Sequence, residues 1–158
     1  MQKIQAKLIF DKNIKVAIIA SKFNSLVVDR LVDGAISVLT QHGIEPENII
    51  VYEVPGAFEL PLAAQNIARR DDISGVIALG AVIKGATPHF DYVSSNCASG
   101  IAQVALETNK PVSFGVLTTN TLEQALERAG SKAGNKGIET AFANLEMISL
   151  LQTVQNCL

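Results

Sequence analysis

The sequence contains no tryptophan, and aromatic residues make up only 5% of its 158 positions, whereas apolar residues make up 48%. The core must therefore be built mainly from Val, Ile, Leu and Ala. Such a composition is typical of a parallel sheet with helices on both faces, because the strands of that sheet are buried on both sides. The length suits one core, so we expect residues 1–158 to form a single domain.

Cysteine is also scarce. Cys97 and Cys157 fall on different predicted elements, and the sequence contains no Cys-x-x-Cys pair. This arrangement supports neither a disulfide framework nor a thiolate metal site. We therefore expect two buried, reduced thiols and no metal ion.

The chain has no excess of one charge, since the formal net charge is -2. It has no long Lys/Arg run of the kind that displaces counterions from nucleic acid, so no nucleic-acid partner is expected. The longest apolar runs, residues 16–20 and 76–83, are far shorter than the roughly 20 residues of a membrane span. The first residues also lack the parts of a secretory signal. We expect a cytoplasmic protein with no membrane association.

Apolar residues recur in two kinds of segment, which alternate along the chain. Short runs rich in Val and Ile predict four strands, at residues 15–20, 49–54, 75–79 and 112–117. Longer segments with helical spacing predict five helices, at residues 25–42, 58–70, 88–109, 122–129 and 136–153. The alternation predicts a three-layer α/β/α sandwich with a flavodoxin-like, four-stranded parallel sheet and right-handed crossovers.

Several residues support these helix ends. Asn24 is a candidate N-cap of the first helix, and His42-Gly43 is a candidate end of it. Thr121 and Gln124 form a capping-box pattern at the start of the fourth helix. The Gly-rich residues 130–137 form a turn between the last two helices, too short for a domain linker.

The N-terminal residues 2–10 alternate apolar and polar side chains as a β-strand does. They have no obvious partner in a compact four-stranded sheet, and an unpaired edge strand can add to another chain. Addition to a neighbouring subunit is therefore one expectation. A fifth strand on the chain's own sheet, or a frayed tail, is an equally open alternative.

Three loops follow the first three predicted strands, at residues 21–24, 55–59 and 81–89. Ligands of an open parallel sheet bind beyond the carboxyl ends of its strands, so these loops are the predicted binding rim. Phe23 and Phe58 would offer a platform for a flat ring, although core filling explains either ring alone equally well. Glu59 would lie at a helix start, where a carboxylate is favourable for electrostatic reasons alone.

The third loop has the composition of an anion site. Gly85 permits close backbone approach, Thr87 fits an N-cap and Pro88 fits the first helical turn, so free N–H groups would face a phosphate. Capping alone explains the same residues. Lys84 precedes the glycine, so the order of a Walker loop is missing and NTP hydrolysis is not supported.

His89 would lie in the first turn of the third helix, beside this phosphate turn. An imidazole there can move protons, although a surface histidine that caps a turn is the simpler reading of one histidine. Arg128 would lie in the last turn of the fourth helix, and Glu139 could pair with it across the Gly-rich turn.

Read in order, these residues resemble the lumazine synthase family. The resemblance runs from about residue 15 to about residue 150, and its motifs are Lys22-Phe23-Asn24, residues 54–61, residues 80–90, residues 114–119, Glu127-Arg128-Ala129-Gly130 and residues 132–137. Several distinct motifs in the correct order make chance a poor explanation.

The resemblance implies the condensation of 5-amino-6-ribitylaminouracil with 3,4-dihydroxy-2-butanone 4-phosphate, without a cofactor or metal. It also implies roles for individual residues. His89 would carry protons, and Glu139 would orient Arg128. The pyrimidine and its ribityl chain would contact Phe23, Ala57, Phe58, Glu59, Ala81, Val82, Ile83, Phe114 and Lys136. The phosphate would contact Gly85, Ala86, Thr87 and Arg128. Phe114, Arg128 and Lys136 would come from the neighbouring subunit.

The resemblance further implies a homo-oligomer. The family forms pentamers, and in some members twelve pentamers close into a sixty-subunit shell, which can enclose riboflavin synthase. The short turn at residues 130–137 resembles that of shell-forming members. Ala81 and Lys84 depart from the commonest family residues, a polar residue and Arg, which puts local contacts in doubt but not the reaction.

Two other functions are compatible with the same pattern. A non-catalytic carrier of riboflavin or its phosphate would use the ring slot and the phosphate turn, but it would have no need of His89. A purely structural shell protein would have no need of the ring slot.

Overall fold

The computed structural model describes residues 1–156. Four parallel strands form one sheet in the order β2-β1-β3-β4. The strands are β1 Val16–Ser21, β2 Ile49–Val54, β3 Gly75–Ile83 and β4 Val112–Thr119. The helices are α1 Ser25–Gln41, α2 Leu60–Ala68, α3 His89–Thr108, α4 Leu122–Arg128 and α5 Lys136–Asn156, with short 3-10 turns at Pro46–Asn48 and Ala57–Glu59.

The central strand β1 is buried on both faces, and its alternate side chains enter two different cores. Ile18 packs in the core that includes Leu31 of α1 and Leu145 of α5. Ile19 packs in the core that includes Leu60 of α2. Each such side chain contributes about 1.5–3 kcal/mol when fully buried. The three-layer α/β/α sandwich expected from the sequence is confirmed.

The last two strands extend beyond their predicted ends. Ile83 pairs with Thr119, and the N–H of Lys84 donates to the carbonyl oxygen of Thr119 at 2.8 Å. The second predicted helix is shorter than expected, because residues 57–59 form a 3-10 turn and α2 begins only at Leu60. Both differences lie at the carboxyl edge of the sheet.

The three predicted helix ends are confirmed in position, and one of them lacks a side-chain cap. The hydroxyl of Thr121 accepts the N–H of Gln124 at 3.1 Å, which caps α4. Gly43 follows α1 with a φ of 84°, a conformation that favours glycine. Asn24 occupies the N-cap position of α1, as predicted, but its backbone is left-handed and its side chain makes no cap hydrogen bond.

The N-terminal residues 2–10 form no strand within the part of the chain that the structure describes. The N–H of Lys7 donates to the hydroxyl of Ser149 at 2.9 Å, and that hydroxyl donates to the carbonyl oxygen of Lys7 at 2.8 Å. Leu8 and Phe10 pack against the core on the α1 and α5 side. A fifth strand on the chain's own sheet is therefore not formed, and addition to a neighbouring subunit remains a prediction.

Cys97 is fully buried in α3 and is not in a disulfide, and burial raises the pKa of its thiol to about 11. The predicted buried, reduced thiol is confirmed there, while Cys157 lies outside the described residues. Over residues 1–156 no helix combines the length and the apolar character that a membrane span needs.

Candidate active site

A cavity of about 720 Å³ lies beyond the carboxyl ends of β1, β2 and β3. We call it the aromatic cleft; it is lined by residues 23–24, 55–59, 81–83, 85, 87, 89–90 and 92–93. The N–H of Lys22 donates to the carbonyl oxygen of Val54 at 2.8 Å, which holds the first two loops together. The structure thus brings together the three loops that the sequence placed on one rim.

The aromatic rings of this cleft are not core residues. Phe23 is 72% exposed and Phe58 is 56% exposed, although each lies in the loop that follows a buried strand end. Core filling is therefore excluded for both side chains. Exposed rings beside a concave apolar surface can cover a flat ligand.

Asn24 connects the first loop to the third strand. Its backbone is left-handed, with φ 61° and ψ 42°, and its side-chain amide donates to the carbonyl oxygen of Ala81 at 2.8 Å. Asn tolerates this conformation better than most residues do. The hydrogen bond fixes Phe23, the preceding residue, relative to the wall formed by Ala81, Val82 and Ile83.

His89 is the first residue of α3 and lines the aromatic cleft. The prediction that Thr87 is the N-cap of this helix is wrong, because Pro88 occupies the cap position and no side chain caps the helix. The first N–H groups of α3 are therefore open to an anion. Gly85 and Thr87 line the same cavity, whereas Ala86 is exposed next to it.

A second cavity, of about 360 Å³, lies at the carboxyl end of β4. We call it the cationic cleft; it is lined by residues 116–119 and by Arg128, Ala133, Lys136 and Glu139. Glu139 accepts from the ammonium group of Lys136 at 3.1 Å. The predicted pair of Glu139 with Arg128 is thus replaced by one with Lys136, one helical turn away on the same helix.

The two clefts share no lining residue. Within one subunit, Arg128 and Lys136 line a different cavity from Phe23 and His89. That they serve a neighbouring subunit stays a prediction. Phe114 lies on β4, 37% exposed, and lines neither cleft. Glu59 and Ala57 line the aromatic cleft from the 3-10 turn after β2.

Sequence reasoning missed three residues that line the aromatic cleft, Phe90, Tyr92 and Val93. Tyr92 and Val93 follow His89 by three and four positions, so they share its face of α3. From this spacing Tyr92 and Val93 could have been predicted to line the same cavity as His89. The contact of Asn24 with Ala81 had no comparable signal, because the two residues are 57 positions apart in the sequence.

Among residues 1–156, no group of three or more His, Cys, Asp or Glu side chains is placed to hold a metal ion. The polar side-chain groups that line the aromatic cleft are the imidazole of His89, the carboxylate of Glu59, the amide of Asn24 and the hydroxyls of Thr87 and Tyr92. They can bind polar substituents and move protons.

A doubly wound parallel sheet with a cleft of this kind beyond its carboxyl edge defines the class of α/β proteins that bind small ligands at strand ends. The model of the 6,7-dimethyl-8-ribityllumazine synthase family matches residues 13–152, and the chain belongs to that family. The chain is therefore a transferase, and its family implies the condensation step of riboflavin biosynthesis. The resemblance found in the sequence is confirmed.

Proposed function

We propose that the chain condenses 5-amino-6-ribitylaminouracil with 3,4-dihydroxy-2-butanone 4-phosphate, and releases 6,7-dimethyl-8-ribityllumazine, inorganic phosphate and two waters. The observation that carries this proposal is the convergence of Phe23, Gly85, Thr87 and His89 around one cavity. Its volume of about 720 Å³ falls within the range of about 300–1,000 Å³ that small-molecule sites occupy.

The pyrimidine lies against Phe23 in this proposal, with Ala81, Val82 and Ile83 as the opposite wall. The ribityl chain runs towards Ala57, Phe58 and Glu59, where the Glu59 carboxylate accepts from its hydroxyl groups. The exposed ring of Phe23 supports this arrangement, because an unliganded protein leaves a large apolar surface in water only at a cost.

The phosphate lies at Gly85, Ala86 and Thr87, in front of the uncapped start of α3. The positive end of the helix dipole and the open N–H groups both favour an anion there. Arg128 of a neighbouring subunit completes this site, and Phe114 and Lys136 of that neighbour close the pyrimidine side. Glu139 then holds Lys136, to which it is paired.

The substrate amine is already nucleophilic, so the protein has mainly to align two reactants. Orientation of this kind supplies a large share of a rate enhancement. His89 moves protons during imine formation, loss of phosphate and ring closure. Such transfer typically contributes about 10²–10⁴ in rate.

The assembly in this proposal is a pentamer, with twelve pentamers in a sixty-subunit shell that can enclose riboflavin synthase in the cytoplasm. The short turn between Arg128 and Lys136 supports it, since the resemblance connects that length with closed shells. Residues 2–10 add to a neighbour's sheet in the same assembly.

One assay tests the proposed reaction. The purified protein is mixed with both substrates, and the fluorescence of the lumazine and the release of free phosphate are followed together. The proposal requires both signals in equal amounts. Tight riboflavin binding without either signal would identify a carrier. If the protein neither binds riboflavin nor forms product, it would be a purely structural shell protein.

A further inference from the structure

Asn135 lies in the turn between α4 and α5, and its side chain makes four hydrogen bonds to backbone groups. Its oxygen accepts the N–H of Gly137 at 2.8 Å and the N–H of Ile138 at 3.2 Å. Its nitrogen donates to the carbonyl oxygen of Arg30 at 3.0 Å and to that of Ala129 at 3.2 Å. A neutral amide can use its donor and its acceptor in this way at the same time.

The four hydrogen bonds connect three helices. The two accepted bonds cap the start of α5, where otherwise no acceptor is available to the first N–H groups. One donated bond reaches the residue after the end of α4, and the other reaches α1. Asn135 directly precedes Lys136, and its partner Ala129 directly follows Arg128. Lys136 and Arg128, the two cations of the cationic cleft, are therefore each adjacent in sequence to a residue of this hydrogen-bond network.

The packing around the turn leaves Asn135 little freedom. A Cβ atom added to Gly34 of α1 would lie 2.7 Å from the side-chain oxygen of Asn135. A Cβ atom added to Gly137 would overlap the backbone carbonyl of Leu31. The turn thus lies directly on α1, with the Asn135 side chain against Gly34 and the backbone of Gly137 against the Leu31 carbonyl.

The only ion pair in the cationic cleft among the described residues, Lys136 with Glu139, joins exposed side chains and contributes little to holding the backbone. Both partners also lie on α5, so their contact cannot fix the distance between α5 and α4. The bond from the Asn135 side chain to Ala129 does connect the two helix ends. It adds to an isolated backbone bridge between the same two residues and to the bond from the Ala133 N–H to the Glu127 carbonyl oxygen at 2.8 Å.

We propose that Asn135 is a positioning residue, which holds the end of α4 so that Arg128 meets the substrate phosphate. This inference rests on the proposed function and adds a residue to it. Asn135 touches neither substrate, and it acts through the Ala129 carbonyl on the adjacent Arg128. The consequence is selective, because loss of the donated bonds leaves the end of α4 held by backbone bonds alone and displaces Arg128, while a retained acceptor still caps α5.

Asn135→Ser separates the two functions of the side chain. Serine is a good N-cap without added charge, but its single hydroxyl is too short to replace the amide at both carbonyls. We expect the KM for the butanone phosphate to rise about tenfold, the value of one hydrogen bond to a charged group, and the KM for the pyrimidine to stay within about twofold.

Thr121→Ala is the matched control. It removes the cap of α4 at the opposite end from Arg128, and so it lowers stability with both KM values unchanged. An equal rise of both KM values in Asn135→Ser, or a loss of stability with neither KM changed, overturns the proposal. If Asn135→Ser does not assemble, Asn135→Asp is used instead, since it keeps the acceptor and loses the donor.

Inorganic phosphate is the probe that separates this proposal from the proposed reaction. Calorimetry should give a Kd for phosphate about tenfold weaker in Asn135→Ser than in the unaltered assembly. If the unaltered protein makes no lumazine but this difference is found, the reaction fails and the role of Asn135 stands. If lumazine is made and the two Kd values agree, or if the unaltered assembly binds no phosphate, the role of Asn135 fails.

Discussion

His89 occupies the first position of α3, with its imidazole exposed beside the aromatic cleft. A side chain at a helix start has a fixed backbone and few neighbours that restrict its approach to a ligand. Proton transfer to a bound reactant needs this combination of defined position and open access. The other histidine of the sequence, His42, has a different environment: its Nδ1 lies 2.8 Å from the Val38 carbonyl oxygen, and its ring packs edge-on against Phe142.

We expect His89→Ala to lower kcat by about 10²-fold, the lower end of what proton transfer supplies, with the oligomer intact. Steady-state kinetics and the mass of the assembly provide the measurement. His42→Ala is the control, because it should lower stability through the lost contact with Phe142 and leave kcat unchanged. Turnover equal to that of the unaltered enzyme in His89→Ala would remove His89 from the mechanism.

At the residue scale, the sequence predicted which residues lie in the aromatic cleft better than it predicted the hydrogen bonds that they make. Phe23, Glu59, Thr87 and His89 do line one cavity, because parallel strands place the loops after them at one edge. The hydrogen-bond partner of Asn24 could not be predicted. An Asn before a helix can cap that helix with its side chain, or it can adopt a left-handed backbone and bond to another element, and the local sequence is the same in both cases. Tertiary contact with Ala81 decides between them.

At the scale of elements, β1 and β3 were predictable because their apolar runs are buried on both faces, and the edge strands β2 and β4 were predictable from short runs that are only partly buried. Their ends were not, because pairing sets them. β3 continues to Ile83, the end of its apolar run, and there it pairs with Thr118 and Thr119 of β4. Neither threonine belongs to an apolar run, so the end of β4 had no such signal. The start of α2 was misplaced for a similar reason, since Ala57 to Glu59 follow the same polarity pattern in a 3-10 turn as they would in an α-helix.

The crossing of α1 and α5 depends on Gly137. We expect Gly137→Ala to lower the free energy of unfolding by about 1–3 kcal/mol or more, because the added methyl group overlaps the Leu31 carbonyl and one helix has to move. Denaturant unfolding measures the change. Gly85→Ala is the control for stability, since a Cβ atom there meets nothing within 4 Å. Equal midpoints for the two variants would contradict the close crossing.

At the scale of the whole molecule, the aromatic and cationic clefts of one chain have no residue in common. The sequence motifs contain the residues of both clefts, but nothing in their order shows that they form separate cavities. That separation follows from the sheet order, which puts β4 at the edge beyond β3. We propose that the complete site needs two subunits.

Mixed assemblies test this arrangement. We expect His89→Ala and Arg128→Ala to be weakly active alone and to regain activity when they are refolded together, because some interfaces then combine an intact His89 with an intact Arg128. The measurement is lumazine formation before and after co-assembly. The double variant refolded with either single variant is the control and should show no gain. Absence of a gain in the first mixture, with mixed oligomers present, would place the whole site in one chain.

Light scattering tests the size of the assembly. The short turn between α4 and α5 leads us to expect a particle of sixty times the subunit mass of 16.8 kDa. A mass of five subunits at all protein concentrations would instead show a pentamer that does not close into a shell.

The separation of the two clefts has a consequence for how activity depends on expression. In the proposed arrangement a newly synthesised subunit holds two incomplete halves of the site, and neither half joins the two reactants alone. We therefore expect the rate of product formation at low expression to rise more steeply than the amount of protein. We also expect dilution to the point of dissociation to abolish activity without unfolding any chain.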